Sequence, residues 1–251
     1  MTESQLAKRA VPGSVVRARK VQMYVLHIAN KNYSSWSLRG WLVTKLAGEP
    51  FEEVHVSLAD LVADPAVRSF TPSGLVPCLY DGDAVVWDSL AIAEYLAERH
   101  PAMWPDDRTA RAFARSIACE MHSGFADLRR DMTMCVRERV DVRPWSPKLA
   151  RDVERVTRIF DEARRRFGHG GAFLFGRYSI ADCFFAPVAF RFRTYGVNPA
   201  GAAGAYVESL LAHPDVQAWE RGALAETEVI DVDEPRLVYR DKLSAKASAM
   251  G

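Results

Sequence analysis

The chain has few cysteines, little net charge and no long apolar run. Its four cysteines, Cys78, Cys119, Cys135 and Cys183, form no C-x-x-C pair and have no metal-ligand spacing. This indicates reduced cysteines and no bound metal. The formal net charge of +1 gives no reason to expect a nucleic-acid partner. No segment reaches the ~18 consecutive apolar residues of a membrane-spanning helix. We therefore expect a cytoplasmic protein without a membrane partner.

Residues 1–21 are predicted to form a flexible basic extension. They carry five basic residues against a single acid, Glu3, and contain no apolar core of a secretory signal. A transit peptide fits this composition, but an upstream extension or a misassigned start is the simpler interpretation. We expect the segment to be poorly ordered.

The pattern of residues 22–100 predicts alternating strands and helices. Residues 23–28 alternate as a strand, and apolar residues at helical spacing predict a helix over 35–47 that ends at Gly48. Asp81-Gly82 is typical of a two-residue hairpin turn. The remaining predicted elements are strands over 51–56, 75–80 and 84–87, a short helical turn within 58–70, and a helix from Ser89 to about Arg99.

Residues 108–230 are predicted to be entirely helical. The prolines of residues 101–107 indicate a linker before them. Apolar residues from Phe113 to Met132 predict one long helix, and further helices are expected over 148–167 and 180–195. Two shorter helices, split at His213-Pro214, follow. Residues 231–251 lack a clear apolar period and are predicted to be a wrapped or loose tail. The expected class is therefore α+β, in two domains.

The segment Ala29 to Arg39 joins the first strand to the first helix and holds the first candidate site. Ser34 and Ser35 can cap the helix, because a hydroxyl accepts from the free N–H groups of a first turn. The same position can hold an anion, which those N–H groups and the helix dipole stabilise. The residues alone leave both functions open.

Four ordered motifs resemble the glutathione S-transferase superfamily. The run Ser34 to Arg39 resembles the active-site segment of serine-type members, especially bacterial ones related to the zeta class. The other three motifs are Leu75-Val76-Pro77, Asp88-Ser89 and Ser179-Ile180-Ala181-Asp182. The resemblance covers residues 23–225. It implies a thioredoxin-like N-terminal domain, an all-helical C-terminal domain, a homodimer, and glutathione as co-substrate in the cleft between the domains.

The resemblance implies that Ser34 stabilises the glutathione thiolate. A free thiol of pKa about 8.5 is only about 3% ionised at pH 7, so an enzyme that uses it must favour the anion. Ser35 is the alternative donor, and Tyr33 a further one of the tyrosine type. Trp36 stands where zeta members have a cysteine, which counts against zeta-type isomerisation.

The peptide part of glutathione is expected on the next two motifs. The resemblance implies a cis Val76-Pro77 bond, which leaves the backbone of Val76 free to pair with the cysteinyl residue. Leu75 stands where zeta-like members have glutamine, so one side-chain contact is missing. At the start of the following helix, Ser89 suits the γ-glutamyl carboxylate and Asp88 its ammonium group. Ordinary capping is the structural alternative for this pair.

The second substrate has four candidate contacts, Trp36, His122, Arg129 and Tyr195. His122 also fits an interface or core histidine, and Arg129 a solvated charge on the helix. For Arg39 we expect a structural ion pair. Ser179 and Asp182 have the spacing of a capping box and are expected to serve folding.

The expected function is a detoxifying glutathione transferase acting on an electrophilic small molecule. One alternative is a glutathione-dependent isomerase. The other is a non-catalytic protein of the same fold that acts as a stress or regulatory partner.

Overall fold

The computed structural model describes residues 23–250, and side chains up to residue 245. The predicted extension over 1–21 lies outside the described residues. Four strands form one sheet in the order β2-β1-β3-β4. Strands β1 and β2 are parallel and the other neighbours are antiparallel. The strands are β1 Tyr24–Ile28, β2 Phe51–His55, β3 Cys78–Asp81 and β4 Ala84–Trp87.

Three helices lie between or directly after these strands in the chain: α1 Ser35–Ala47, α2 Leu58–Ala63 and α3 Ser89–Arg99. Helices α1 and α3 pack on each other, and alternate residues of β1 are buried. Gly48, at φ 75°, ends α1 as predicted. Gly40 lets α1 approach Pro77 closely, because a Cβ at Gly40 would lie 2.6 Å from Pro77 Cγ. The arrangement is thioredoxin-like and holds the cis Val76-Pro77 peptide against α1.

The remaining described residues form helices joined by loops, arranged around one central helix, so the expectation that residues 108–230 are entirely helical does not hold for 132–146 and 168–179. This helix, α7, has nearly every residue buried and contacts both α1 and α4, so it joins the two halves of the molecule. No helix within residues 23–250 is both long and apolar enough to cross a membrane. The helices are α4 Arg108–Ser123, α5 Ala126–Asp131, α6 Pro147–Phe167, α7 Ile180–Thr194, α8 Gly201–Leu211, α9 Pro214–Ala225, α10 Pro235–Val238 and α11 Arg240–Met250.

Two predicted elements differ from the structure. The long helix predicted from Phe113 to Met132 is wrong, because α4 ends at Ser123 and α5 starts only at Ala126. Phe125 adopts a left-handed backbone at φ 59°, which no continuous α-helix contains. The third strand begins at Cys78 and not at Leu75, since Pro77 has no N–H to donate to a ladder.

The segment after α9 wraps back over the β1–α1 loop. The carboxylate of Glu226 accepts from the N–H groups of Lys31 and Asn32, at 2.6 and 3.0 Å. Glu228 Oε2 accepts from the side-chain amide of Asn30 at 2.6 Å. The predicted tail from residue 231 onward contains α10 and α11, which the apolar period does not reveal, because the described side chains of α11 are mostly exposed. The proposed domain limits, 22–100 and 108–230, stay predictions.

Candidate functional site

Ser34 caps α1 and uses its hydroxyl fully in doing so. Its Oγ accepts from the Ser37 N–H at 3.3 Å and donates to Ser37 Oγ at 2.8 Å. Ser37 Oγ in turn accepts from the Ala29 N–H at 2.9 Å. The Ser34 hydroxyl is therefore part of a closed local network that ties β1 to α1.

Ser35, one position further, has a different environment. Its Oγ accepts from Arg191 Nη2 on α7 at 3.3 Å. The guanidinium is held in place because Arg191 Nε donates to the carbonyl of Met132 at 2.7 Å. Among the described residues Ser35 donates to no group, so its own proton is available to a ligand.

Two cavities meet at Trp36. The first, about 380 Å³, surrounds Pro77 and is called the proline cavity; it is lined by Trp36, Ser73, Leu75, Val76, Pro77, Trp87, Asp88 and Ser89. The second, about 260 Å³, is called the arginine cavity; its lining includes Tyr33, Ser34, Ser35, Trp36, Arg129, Arg191 and Asp233. Both predicted peptide motifs thus line one cavity and both serines the other.

The proline cavity contains a buried hydroxyl with nothing to bond. Ser89 is fully buried, and its Oγ has no hydrogen-bond partner among the described residues. Asp88 precedes it at φ 74°, and its Oδ1 accepts from the Leu90 N–H at 2.8 Å. Asp88 therefore caps α3, the structural role expected as its alternative, while the Ser89 hydroxyl remains unused.

Trp36 lies among cationic side chains. The guanidinium carbons of Arg39 and Arg129 are 4.7 and 5.0 Å from its ring. The imidazole of His122 meets the same indole edge-on at 5.2 Å. The side chain of Trp36 is 36% exposed and lines both cavities, and Arg129 lines the arginine cavity with it.

Arg39 is buried without an ion pair, so the expected structural ion pair is wrong. Its relative exposure is 0%, and Nε, Nη1 and Nη2 all lack hydrogen-bond partners among the described residues. Burial, together with the charges of Arg129 and Arg191, lowers the pKa of Arg39 well below its ordinary value, and Asp88 opposes this. We call Arg39, Arg129 and Arg191 the arginine cluster. None of them forms a salt bridge within the described part of the chain.

The remaining candidates for the second substrate separate into two groups. His122 faces the site: its Nε2 is 3.3 Å from Asp88 Oδ2, and burial lowers its pKa. Arg129 lines the arginine cavity but donates from Nε to the Gly124 carbonyl at 2.9 Å. Tyr195 is fully buried and lies outside the lining of both cavities, with its hydroxyl 3.0 Å from Thr133 Oγ1. It is therefore a core residue.

Tyr33 lines the arginine cavity with a hydroxyl that is already engaged. It donates to Glu234 Oε2 at 2.9 Å and accepts from Arg137 Nη2. Burial and the Glu234 carboxylate raise the pKa of Tyr33 to about 12. This environment opposes a thiolate-binding role for the phenol.

Sequence reasoning missed Arg191 and Asp233. Arg191 interrupts the apolar run of α7, and a charged residue among buried aromatic ones is a signal that could have identified it. Asp233 lies in the tail, where no pattern linked it to α1. Among the described residues no group of three or more histidine, cysteine, aspartate or glutamate side chains could hold a metal ion.

A thioredoxin-like sheet, a cis-proline facing the head of α1 and a helical second half define the glutathione-transferase class of proteins. The family comparison agrees with it. The model of the glutathione S-transferase N-terminal domain matches residues 33–99, and that of the C-terminal domain matches residues 146–222. The chain belongs to the glutathione S-transferase superfamily.

The individual proteins that this chain resembles are named for different functions. A stringent starvation protein A homolog of Pasteurella multocida is 26% identical over 209 residues, covering 76% of this chain and 86% of that protein. A maleylacetoacetate isomerase of Rhizobium meliloti is 30% identical over 179 residues, covering 66% and 81%. The structure of a glutathione transferase homolog from Burkholderia, with bound glutathione, aligns with a TM-score of 0.60 at 24% identity. That alignment covers 82% of this chain and 99% of the other, and it supports the fold alone.

Proposed function

We propose that this protein is a glutathione transferase, which binds glutathione across the two cavities and transfers its sulfur to an electrophilic small molecule. The observation that carries the proposal is the buried, unpartnered hydroxyl of Ser89 at the proline cavity. Buried polar groups in proteins are almost always hydrogen-bonded, so an unused one beside a cavity indicates a ligand.

The peptide lies in the proline cavity. Its γ-glutamyl carboxylate meets the Ser89 hydroxyl and the positive end of the α3 dipole. Its ammonium group meets Asp88, whose second oxygen faces His122. The cysteinyl backbone pairs with Val76 as one short added strand. Leu75, at 66% exposure, covers the peptide without a polar contact.

The sulfur enters the arginine cavity beside Ser35. The resemblance favours Ser34, but the hydrogen bonds favour Ser35, because only Ser35 has a proton that is not already donated. Arg191 donates to the Ser35 oxygen, which makes the hydroxyl a better donor to an anion. Ser34 caps α1 and so helps to position Ser35.

The energetics are adequate for thiol activation. Lowering the thiol pKa by ~2 units requires about 2.7 kcal/mol of preferential thiolate binding. A hydrogen bond to a charged sulfur supplies roughly 1.5–3 kcal/mol and a helix N-terminus roughly 0.3–2. Since nucleophilicity falls with thiol pKa, most of the rate gain comes from holding the electrophile beside the sulfur. Trp36, His122 and Arg129 are the residues that border the electrophile in this proposal.

Two other functions have support from the relatives. The Rhizobium meliloti relative is a maleylacetoacetate isomerase, which favours a glutathione-dependent isomerase; Trp36, where a cysteine stands in the zeta pattern, opposes it. The Pasteurella multocida relative, a stringent starvation protein homolog, favours a stress or regulatory partner without catalysis. Isomerisation of a cis-enone diacid tests the first, and failure to bind glutathione favours the second.

The deciding experiment is ultraviolet difference absorbance of the thiolate as glutathione is titrated into the protein at neutral pH. We expect a thiolate signal in the wild type and its loss, or a shift to higher pH, in Ser35→Ala. Ser209→Ala is the matched control, since that hydroxyl bonds only its own helix at Ala205. A signal lost in Ser34→Ala and kept in Ser35→Ala would transfer the role to Ser34. No binding in the wild type would overturn the proposal.

A homodimer and a cytoplasmic location stay predictions. The homodimer rests on the resemblance and the location on composition. Sedimentation equilibrium of the full chain tests the first, and cell fractionation tests the second.

A further inference from the structure

Residues 226–234 join α9 to α10 and lie against the β1–α1 loop; we call them the strap. The carboxylate of Glu226 accepts from two backbone N–H groups of this loop, those of Lys31 and Asn32, at 2.6 and 3.0 Å. Each carboxylate oxygen takes one of the two N–H groups. Lys31 and Glu226 are 195 positions apart in the sequence. The loop that leads to the candidate serines is therefore held by a side chain from the other half of the molecule.

The loop turns in a way that leaves these two N–H groups to an acceptor outside it. The carbonyl of Asn30 accepts from the Tyr33 and Ser34 N–H groups, at 3.2 and 2.8 Å. Inside this turn, the N–H groups of Lys31 and Asn32 bond no backbone carbonyl in the described structure. Successive N–H groups in a turn form a concavity that binds an anion, and here the anion is the strap carboxylate. Because Asn32 is fully buried, loss of that acceptor would be costly.

The strap is itself held in place at several points. Arg137 donates from Nη1 to the carbonyl of Glu226 at 3.2 Å and from Nη2 to the carbonyl of Glu228 at 3.1 Å. Glu228 Oε2 accepts from the side-chain amide of Asn30 at 2.6 Å. Further along, Asp233 is part of the lining of the arginine cavity. The strap therefore runs from the middle of the turn to the cavity that both serines line.

The position of the serines depends on this turn. It ends at Ser34, the N-cap of α1, and Ser35 is the first residue of the helix. A group that acts on a reacting atom must be held within about 0.5 Å of its productive place by residues around it. Strand β1 fixes the turn where it begins, and Glu226 fixes its middle.

We propose that Glu226 is a positioning residue of the transferase site, which sets the place of the Ser35 hydroxyl by holding the turn before it. This inference rests on the proposed function. Glu226 is not among the described residues that line either cavity, so it acts through the loop and not on glutathione itself.

The charge of Glu226 and its positioning role affect the glutathione thiol in opposite directions. A carboxylate near the sulfur disfavours the thiolate, so removal of its charge alone would lower the thiol pKa or leave it unchanged. Displacement of Ser35 would weaken its hydrogen bond to the thiolate and raise that pKa. The sign of the change therefore distinguishes geometry from charge.

The test compares Glu226→Gln with the wild type in two measurements. The glutamine has the same length, but its amide nitrogen cannot accept from the second N–H group of the turn. We expect the pKa of bound glutathione, from its thiolate absorbance, to rise by about half a unit or more. The affinity for S-methylglutathione should stay within about twofold, because Val76 and Ser89 hold the peptide on other elements. Asp231→Asn is the matched control, since it removes an exposed carboxylate of the same strap and should not raise the thiol pKa.

Three results would contradict the inference. A thiol pKa in Glu226→Gln that is equal to or below that of the wild type would show that the strap serves folding alone. An affinity for S-methylglutathione that falls along with thiolate formation would show a general disruption of the site. Both results would leave the proposed function in place. Absence of glutathione binding in the wild type would overturn the proposed function and the role of Glu226 with it.

A milder variant decides the matter if Glu226→Gln does not fold. Glu228→Gln keeps both N–H groups of the turn on Glu226 and changes only the contacts of Glu228 with Asn30 and the Ser57 hydroxyl. We expect a smaller rise of the thiol pKa in the same direction, again with an unchanged affinity for S-methylglutathione. A lowered or unchanged thiol pKa in this variant would overturn the inference as well.

Discussion

Helices α1 and α7 each have a buried serine as N-cap, Ser34 and Ser179, but the polar surroundings of the two serines differ. At α7 the carboxylate of Asp182 accepts from the Ser179 N–H and the Ser179 hydroxyl, each at 2.8 Å. Its other oxygen accepts from the Leu174 N–H at 3.1 Å. Each oxygen of the buried carboxylate thus has a donor. This is the capping box that the spacing predicts, and its chemistry is complete without a ligand.

At the start of α1 only some of the buried polar groups have hydrogen-bond partners. The Ser34 hydroxyl is fully bonded to Ser37, but Arg39, the Ser89 hydroxyl and His122 Nδ1 are buried without partners in the described structure. These three groups surround Trp36 and the proline cavity. The comparison teaches that a helix start serves folding where its buried polar groups are all paired, and indicates a ligand where several are left over.

The largest expected effect is at the start of α7, where each oxygen of the buried Asp182 carboxylate has a donor. Asp182→Ala leaves three buried donors without an acceptor, so we expect a loss of about 3 kcal/mol or more in the free energy of unfolding. Asp107→Ala is the matched control, because Asp107 caps α4 at an exposed position and such caps contribute about 1 kcal/mol. Urea denaturation monitored by tryptophan fluorescence measures both. Equal losses would contradict the distinction between a buried network and an ordinary cap.

The reverse pattern is expected at Ser89. Because its hydroxyl has no partner, Ser89→Ala should change the free energy of unfolding by less than about 0.5 kcal/mol. Loss of a hydrogen bond to a charged ligand group should weaken glutathione binding about tenfold. Isothermal titration calorimetry measures the affinity, with the exposed Ser116→Ala as control. A stability loss with unchanged affinity would mean that Ser89 serves folding and not the ligand.

A smaller effect is expected when the pH is changed. Burial raises the pKa of Asp182 to about 6, while donated hydrogen bonds oppose the rise. The folded state therefore binds this proton more tightly than the unfolded state, and the contribution to stability is lost as pH rises through 6. Between pH 5 and pH 7 the wild type should lose about 1 kcal/mol more than Asp182→Asn. Denaturation of both proteins at the two pH values checks this, and parallel slopes would contradict it.

Elements defined by local signals could be predicted from the sequence. Helix α1 has the predicted limits, because Ser34 and Gly48 stop it at each end through their own backbone geometry. The capping box of Ser179 and Asp182 is equally local. The break at Phe125 could not be predicted, since the apolar period continues through it while the backbone turns left-handed.

The site was predictable in its motifs but not in its charges. Proline and serine positions at Val76-Pro77 and Asp88-Ser89 line one cavity, as a local pattern can indicate. Whether Arg39 has a partner depends on α5 and α7, which lie far along the chain and bring cations to it. The sequence pattern therefore favoured an ion pair that the packing does not provide.

The smallest expected effect concerns Tyr33. It lines the arginine cavity beside Ser34, but its hydroxyl already has hydrogen-bond partners within the protein. Its hydroxyl is held between Glu234 and Arg137, and its pKa is raised to about 12 by burial. The phenol therefore has neither a free proton nor a tendency to ionise. We expect Tyr33→Phe to keep kcat/KM for a conjugation reaction within about twofold of the wild type. The thiol of glutathione bound to this variant should ionise at the same pH as in the wild type. A hundredfold loss of kcat/KM would show that proximity to the cavity outweighs hydrogen-bond satisfaction, because Tyr33 and Ser35 line the same cavity and only the Ser35 hydroxyl has a proton that is not already donated.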